Sequence, residues 1–155
     1  MSFSPSSSSS SAPLLLTTST DLSIKLWSYS PISASWRCHS NLSYRSFIPL
    51  DASWSLDGSM FAVVHKRLVT LWGTREGRVL QTFNVAAGGS GGGKDGGARA
   101  RVAFGGKEGT DLVVGGKTGV VVWDLLTFQG SSFVLLPLHW DLTRLVRQRN
   151  SQSRS

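Results

Sequence analysis

The sequence of 155 residues contains a single cysteine, Cys38, and lacks any long apolar run. One cysteine excludes an intramolecular disulfide and a metal site of paired thiolates, and it weakly favours a reducing, intracellular compartment. No segment approaches the roughly 18 apolar residues that span a bilayer. The serine run of residues 1–13 has no basic residue, and residues 14–16 are too short for a signal-peptide core. Secretion and membrane contact are therefore not expected.

Acidic residues are also scarce, since 9 Asp and Glu stand against 16 Lys and Arg, for a net charge of +7. Such a charge suits a nucleic-acid-rich neighbourhood, although a basic tail that is merely solvated is the other interpretation. An apolar fraction of 40% with only 16% charged residues is typical of a folded all-β protein. Part of the excess charge lies in a C-terminal cluster, Arg144, Arg147, Arg149 and Arg154.

Complete signatures of catalysis or nucleotide binding are missing. The glycine-rich stretch 88–95 resembles a phosphate-binding loop, but Asp95 follows its lysine where Ser or Thr would hold magnesium. Residues 91–96 fit G-x-G-x-x-G, yet a strand follows where a helix is required. The stretch 115–118 also ends like a phosphate-binding loop, but a strand follows it, so we interpret it as a β-turn between two strands. No G-x-S-x-G motif occurs. The three histidines have no metal-ligand spacing: His39, His65 and His139. We therefore expect no enzyme, cofactor or metal.

An internal repeat is the strongest positive feature of the sequence. Segments 14–30, 51–83 and 100–128 each contain a short apolar strand, a polar turn and a second strand ending in tryptophan. Self-similarity at such a period is typical of solenoids and propellers. The tryptophans are separated by 45 and 51 residues, and a glycine-rich insertion lengthens the second interval: Trp27, Trp72 and Trp123.

The residues around each tryptophan predict strands and tight turns. Residues 24–26, 69–71 and 120–122 are rich in β-branched and apolar side chains, as strands are. The continuous apolar run 120–123 predicts a strand buried on both faces. Four further residues are candidate turn or repeat positions, where a carboxylate accepts backbone N–H groups or a glycine allows a tight turn: Asp21, Asp57, Gly58 and Gly119.

Together these segments resemble the WD-repeat family. The segments that carry the resemblance are DLSIKLW at 21–27, DGSMFAVVHKRLVTLW at 57–72 and GVVVWD at 119–124. The Trp-Asp dipeptide itself occurs only once among them, at Trp123 and Asp124. The family's glycine-histidine pair is absent, which puts its hydrogen-bond network in doubt here. The resemblance implies a partial β-propeller of about three blades, all-β and non-catalytic. Such a fragment needs further blades or a partner to close a ring of four to eight.

The resemblance divides the chain into an irregular N-terminus at 1–13, a propeller fragment at 14–138 and a basic tail at 139–155. The blades are expected at about 14–43, 44–85 and 98–138, with a glycine-rich insertion at 86–97. A truncated gene product without a function of its own is a further interpretation.

A narrower resemblance comes from residues 21–27, 36–38, 43–45, 52–72 and 112–127, which are similar to the WD-repeat subunit of the t-UTP part of the small-subunit processome. It implies a nucleolar scaffold in ribosome biogenesis that supports pre-rRNA processing and ribosomal DNA transcription. The implied partners are other WD-repeat and processome proteins, with pre-rRNA and small nucleolar RNA.

Four residues are candidate contacts with RNA or a partner: Trp36, Arg37, Tyr44 and Arg45. They form two pairs of an aromatic ring with an arginine, and such pairs stack on single-stranded bases. Packing at a blade edge explains these residues as well. The alternative function is a generic, cytoplasmic WD-repeat adaptor that binds peptides and no RNA.

Overall fold

The computed structural model describes residues 1–5, 13–66, 68–85, 100–106, 108–116, 119–127 and 129–133, without the side chains of residues 132 and 133. The regular elements of these residues are all β-strands. In chain order they are β1 (Ser2–Phe3), β2 (Leu14–Thr18), β3 (Ile24–Ser30), β4 (Ser35–Leu42), β5 (Asp51–Trp54), β6 (Met60–Val64), β7 (Leu68–Gly73), β8 (Arg78–Asn84), β9 (Arg101–Gly105), β10 (Asp111–Gly116), β11 (Gly119–Asp124) and β12 (Gln129–Phe133).

The strands form three sheets of four, each an antiparallel meander in chain order. The first sheet contains β1 to β4, the second β5 to β8 and the third β9 to β12. Consecutive antiparallel strands need only short connections, which the turn residues of the repeats supply. The all-β fold and the partial propeller of three blades expected from the sequence are confirmed.

The first sheet takes in part of the serine-rich N-terminus. Ser2 pairs with Leu16 and Phe3 pairs with Leu15, so β1 is the edge strand of this sheet. The expectation that residues 1–13 are irregular and that the first blade begins at 14 was therefore wrong for residues 2 and 3. Two residues are too few to show a period in sequence, and β1 depends on pairing with β2.

Each pair of neighbouring sheets encloses an apolar cluster. The cluster between the first and second sheets consists of Leu16, Ile24, Leu26, Trp54, Phe61, Val63 and Trp72. The cluster between the second and third sheets consists of Ala62, Val64, Val69, Leu71, Phe83, Val102, Leu112, Val114 and Trp123.

The inner strands β6 and β7 of the second sheet are buried on both faces because this sheet has a neighbour on each side. Every residue of β6 after Met60, and every residue of β7 after Leu68, is buried. The same burial was expected for residues 120–123, and this was wrong. Residues 120–122 of β11 are only half-buried, although Trp123 is buried. The third sheet packs on one neighbour only within the described part of the chain, so one face of β11 stays open.

Two searches of the described residues are negative. They contain no helix long and apolar enough to cross a membrane. They also contain no group of three His, Cys, Asp or Glu side chains that could hold a metal ion. The glycine-rich insertion 86–97, residues 117 and 118 and the tail 139–155 lie outside the described residues, so the expectations for them stay predictions.

Candidate functional site: the tryptophan rows

The three repeat tryptophans hold the same position on the third strand of their sheets. Each one pairs with an apolar residue of the second strand, which in turn pairs with an aromatic residue of the first strand. Paired residues in antiparallel strands point to the same face of the sheet. We call each set a tryptophan row, and the rows are Phe3, Leu15 and Trp27; Trp54, Phe61 and Trp72; and Phe104, Leu112 and Trp123.

The row of the second sheet faces the first sheet. The rings of Phe61 and Trp72 are nearly parallel, with centroids 5.9 Å apart, and Trp54 meets Phe61 edge-on at 5.5 Å. All three residues are buried in one cluster with apolar residues of β2 and β3. Burying an indole removes on the order of 200 Å² from water, worth a few kcal/mol at about 25 cal/mol per Å². The row therefore joins the first two sheets.

The row of the third sheet faces the second sheet in the same way. Trp123 is 7% exposed, and its ring centroid lies 5.3 Å from that of Phe83 on the outer strand of the second sheet. Ala62 and Leu71 belong to the same buried cluster. The rows of the second and third sheets are thus each covered by the sheet that precedes them in the chain.

The row of the first sheet has no covering sheet among the described residues. Phe3 is 59% exposed, and Leu15 and Trp27 are only half-buried. Trp36, which is 40% exposed, contacts Phe3 at a ring-centroid distance of 6.0 Å and Tyr29 at 5.4 Å. An aromatic surface therefore remains open on the first sheet.

The indole N–H groups of two rows donate hydrogen bonds to threonine. Trp27 Nε1 donates to Thr17 Oγ1 at 3.0 Å, and Trp72 Nε1 donates to Thr70 Oγ1 at 2.8 Å. A buried indole N–H is costly without a partner, so each threonine stabilises the position of its tryptophan. These tryptophan–threonine bonds provide a local hydrogen-bond network in two sheets that lack the glycine-histidine pair of the family.

His65 extends this network in the second sheet. Its ring is 1% exposed, Nδ1 lies 3.3 Å from the carbonyl oxygen of Ile48, and Nε2 lies 3.2 Å from Thr70 Oγ1. Because a carbonyl only accepts, we assign the proton to Nδ1. The single hydroxyl proton of Thr70 is then shared between His65 Nε2 and the carbonyl oxygen of Val63, which lies 3.3 Å from Thr70 Oγ1. Burial lowers the pKa of His65 below 6.5, against the opposing effect of its hydrogen bonds to backbone carbonyls. This neutral histidine is a structural residue.

The candidate turn carboxylates are used in local hydrogen bonds. Asp57 Oδ1 accepts from the hydroxyl of Ser55 at 2.7 Å, and from the hydroxyl and backbone N–H of Ser59 at 2.9 and 3.0 Å. These bonds, that of the Ser55 hydroxyl foremost, lower the pKa of Asp57 from its usual 3.8. Gly58 has a φ of +69°, which the turn requires and glycine adopts without strain. Asp57 and Gly58 thus both serve this turn.

The other turn positions behave similarly. Asp21 Oδ1 accepts from the backbone N–H of Ser23 at 2.9 Å, and hydrogen bonds from Ser23, its side chain first, lower the pKa of Asp21. Asp124 Oδ1 accepts from the N–H groups of Leu126 and Thr127, at 2.7 and 3.2 Å. Gly119 pairs with Gly116 where β10 and β11 meet.

The four candidate RNA contacts do not form one surface. Trp36 pairs with Tyr29 on the open face of the first sheet, and Arg37 is exposed beside it in sequence. Tyr44 is instead half-buried at the junction with the second sheet, where its ring meets that of Trp72 edge-on at 6.5 Å. Arg45 lies over the Tyr44 ring, 5.4 Å from its centroid.

Sequence reasoning missed the partners of the tryptophans and one link between sheets. Trp54 and Phe61 complete the buried row of the second sheet, and their apolar character at paired positions is the signal that would have found them. The carboxylate of Asp51 accepts from the Val102 N–H at 3.1 Å and from the Arg101 guanidinium at 3.4 Å. No sequence signal marks this contact, because its partners lie 50 and 51 residues apart.

Three stacked four-stranded meanders with a repeated tryptophan on the third strand define a WD-repeat β-propeller, here with three blades and no closed ring among the described residues. Domains of this class are typically non-catalytic scaffolds that mediate protein interactions. Residues 1–131 match the family model of the WD repeat-containing protein 75 second beta-propeller, and the chain belongs to this family. A search of curated proteins found no match.

Proposed function

We propose that this chain acts as a scaffold of the small-subunit processome in the nucleolus, where it supports pre-rRNA processing and ribosomal DNA transcription. The observation that carries the proposal is the family match over residues 1–131. It is supported by the similarity of residues 21–27, 36–38, 43–45, 52–72 and 112–127 to the WD-repeat subunit of the processome.

The geometry supports a binding role more than a chemical one. Two described side chains of the types that carry proton-transfer chemistry elsewhere are engaged in the fold: His65 with Thr70, and Asp57 with its turn serines. The stacked sheets instead offer rigid surfaces, including the aromatic surface around Phe3 and Trp36. Exposed aromatic patches of this kind are typical of interaction sites.

We place the RNA contact of this proposed function at Trp36 and Arg37. Trp36 is 40% exposed, which leaves part of its ring free to stack on an unpaired base. Arg37 follows it on the edge strand β4 and points to the other face of the sheet, so its exposed guanidinium would meet a phosphate at the sheet edge. The net charge of +7 favours the approach of RNA. Tyr44 and Arg45 are the weaker pair, because Tyr44 is packed against Trp72 and Arg45 is engaged on its ring.

The test is affinity purification of the tagged full chain from its native cells, with mass spectrometry and RNA sequencing of the material recovered. The expected result is processome proteins with pre-rRNA and small nucleolar RNA, and nucleolar fluorescence of the tagged chain. Peptide-binding partners without RNA, from a cytoplasmic chain, would support the generic adaptor and overturn the proposal. Recovery of chaperones alone would indicate a fragment without a function of its own.

The RNA contact is tested separately with Trp36→Ala and Arg37→Ala combined, since neither residue belongs to a buried cluster. Crosslinking of RNA to the chain in cells is expected to fall several-fold, while processome proteins are still recovered. Ile32→Ala is the control, because Ile32 is 99% exposed in the turn between β3 and β4. Equal crosslinking of the three proteins would place the RNA contact elsewhere.

A further inference from the structure

The loop that connects the first sheet to the second, residues 44–50, exposes two apolar side chains. Ile48 is 47% exposed and Leu50 is 40% exposed, while Pro49 between them is buried. The two exposed side chains therefore point out of the fold on the same side of the loop. The junction that this 44–50 loop crosses has both of its sheets within the described residues.

Hydrogen bonds and ring contacts hold the 44–50 loop on the second sheet. The Leu50 N–H donates to the carbonyl oxygen of Val64 at 2.8 Å, and His65 Nδ1 donates to that of Ile48 at 3.3 Å. The ring of Tyr44 packs against that of His65, with centroids 6.0 Å apart. A loop fixed in this way presents its exposed side chains to a partner at little cost in conformational entropy.

Basic side chains predominate at this end of the sheets. Lys66 is exposed in the turn between β6 and β7, and Arg45 is exposed within the loop. The carboxylate of Asp51, directly after the loop, is already engaged with the Val102 N–H and with Arg101. By strand direction, the charged side chains described at this end are Lys25, Arg45, Lys66 and Arg101 against Asp21 and Asp51.

Arg45 has a backbone conformation that favours glycine. Its φ is +50°, in the left-handed region, where an L side chain is strained. Its guanidinium lies over the Tyr44 ring, 5.4 Å from the centroid. Backbone strain of this kind is typical of residues with a functional role. The charge that Arg45 brings to the loop is such a role.

We propose that the 44–50 loop and Lys66 bind an acidic, extended segment of a partner protein. Two apolar side chains of the segment, at alternate positions, would cover Ile48 and Leu50, and flanking carboxylates would meet Arg45 and Lys66. Alternate side chains of an extended chain point to one side about 7 Å apart. This spacing suits two exposed residues that are themselves separated by a single residue.

The exposed side chains of the loop favour a protein segment over RNA because they are aliphatic. Unpaired bases stack on aromatic rings. The rings of this loop are instead turned inward, Tyr44 against Trp72 and His65, and Phe47 against His65. The loop thus offers an apolar, positively charged surface without a ring for a base.

This inference does not rest on the proposed role in the processome, and it is tested on the purified full chain by fluorescence anisotropy. The probe is a labelled peptide with two leucines at alternate positions, flanked by glutamates, and the matched probe has lysine in place of every glutamate. The glutamate peptide is expected to bind at least about ten-fold more tightly, and rising salt to weaken its binding. Equal binding of the two peptides, or no binding of the glutamate peptide, would overturn the proposal.

Substitution of the exposed apolar pair tests whether the loop is the binding surface. Ile48→Ser combined with Leu50→Ser is expected to weaken binding of the glutamate peptide at least about ten-fold. The backbone hydrogen bonds of the loop can still form in this variant. Ile32→Ser is the matched control, because Ile32 is 99% exposed in the turn between β3 and β4, at the opposite end of the sheets. Unchanged binding of the double variant would contradict the proposal.

Charge reversal tests the basic side chains. Lys66→Glu is expected to weaken the glutamate peptide several-fold, whereas Arg75→Glu, which reverses one exposed charge at the opposite end of the sheets, is not. Arg45→Gly removes the guanidinium and relieves the strained backbone, so binding is expected to fall while the thermal unfolding midpoint is kept. If Lys66→Glu and Arg75→Glu bound the peptide equally well, the assigned surface would be wrong.

A labelled single-stranded uridine RNA is the competing probe. At the same salt concentration it is expected to bind more weakly than the glutamate peptide. RNA that binds more tightly, and that displaces the peptide, would assign this surface to nucleic acid and overturn the proposal.

Discussion

Gly130 on β12 lies directly against the indole of Trp123, so that a Cβ atom added at Gly130 would fall 2.7 Å from Nε1 and 2.8 Å from Cδ1 of the ring. The two residues are paired across β11 and β12. The ring is enclosed on its other side by the second sheet, through Phe83. The row of the third sheet thus depends on a glycine of the outer strand.

The Gly130→Ala substitution is expected to lower the free energy of unfolding by about 1–3 kcal/mol, the usual range for overpacking. The added methyl group would force the indole against the second sheet. Chemical denaturation measures the effect. Gly116→Ala is the matched control, because a Cβ atom at Gly116 meets no atom within 4 Å. Equal stability of the two variants would contradict the close packing of Trp123.

The Trp72→Ala substitution is expected to destabilise the chain by about 3–5 kcal/mol, the range for large-to-small changes in a core. It removes the stacking on Phe61 and leaves Thr70 without its indole donor. Trp27→Ala is expected to have a clearly smaller effect because Trp27 is only half-buried, on a face that no described sheet covers. If both substitutions were equally destabilising, burial by the preceding sheet would not explain the rows.

The stability of the fold is expected to depend on pH through His65. Burial holds its folded pKa below the 6.5 of the exposed group, so the unfolded chain binds more protons between these two values. The stabilisation is present above pH 6.5 and is lost as the pH falls through the folded pKa. The measurement is the free energy of unfolding between pH 8 and pH 5. His65→Gln is expected to remove this slope, and His39→Gln to retain it because His39 is exposed on β4.

The Asp51→Ala substitution is expected to lower the free energy of unfolding by about 1–2 kcal/mol, because the Val102 N–H at the junction of two sheets loses its acceptor. Arg101→Ala is expected to change stability by less than about 1 kcal/mol, since its side chain is 73% exposed and the ion pair is solvated. Thermal unfolding of both variants checks the order. A larger effect at Arg101 would mean that the charge, not the backbone contact, joins the sheets.

The repeat of the tryptophans was enough to predict the inner strands and the three blades, because each tryptophan ends a run of strand-forming residues. The face that each tryptophan occupies also follows from strand alternation once the register is known. The sequence did not indicate which faces are covered. Residues 120–122 read as a doubly buried strand, but burial depends on a neighbouring sheet and not on the apolar run itself.

The missed features of the candidate site depend on contacts between distant parts of the chain. Phe3 enters a tryptophan row only because β1 pairs with β2 across the serine run. Tyr44 was a candidate surface contact beside Arg45, yet it is half-buried because Trp72 of the second sheet packs edge-on against its ring. The surroundings of Phe3 are set by strand pairing and those of Tyr44 by sheet stacking, and no local sequence pattern records either.

Because the tryptophan rows of the second and third sheets are each covered by the sheet before them, the two junctions of this chain are built to one plan. Leu16 and Leu26 contribute to the cover of one row, and Ala62 and Leu71 contribute to the cover of the next. A blade of this kind is consequently an interchangeable unit: deleting or duplicating the whole second sheet leaves each remaining row facing a surface of the kind that it already meets. The length of such a protein can change by one blade at a time without the invention of a new interface.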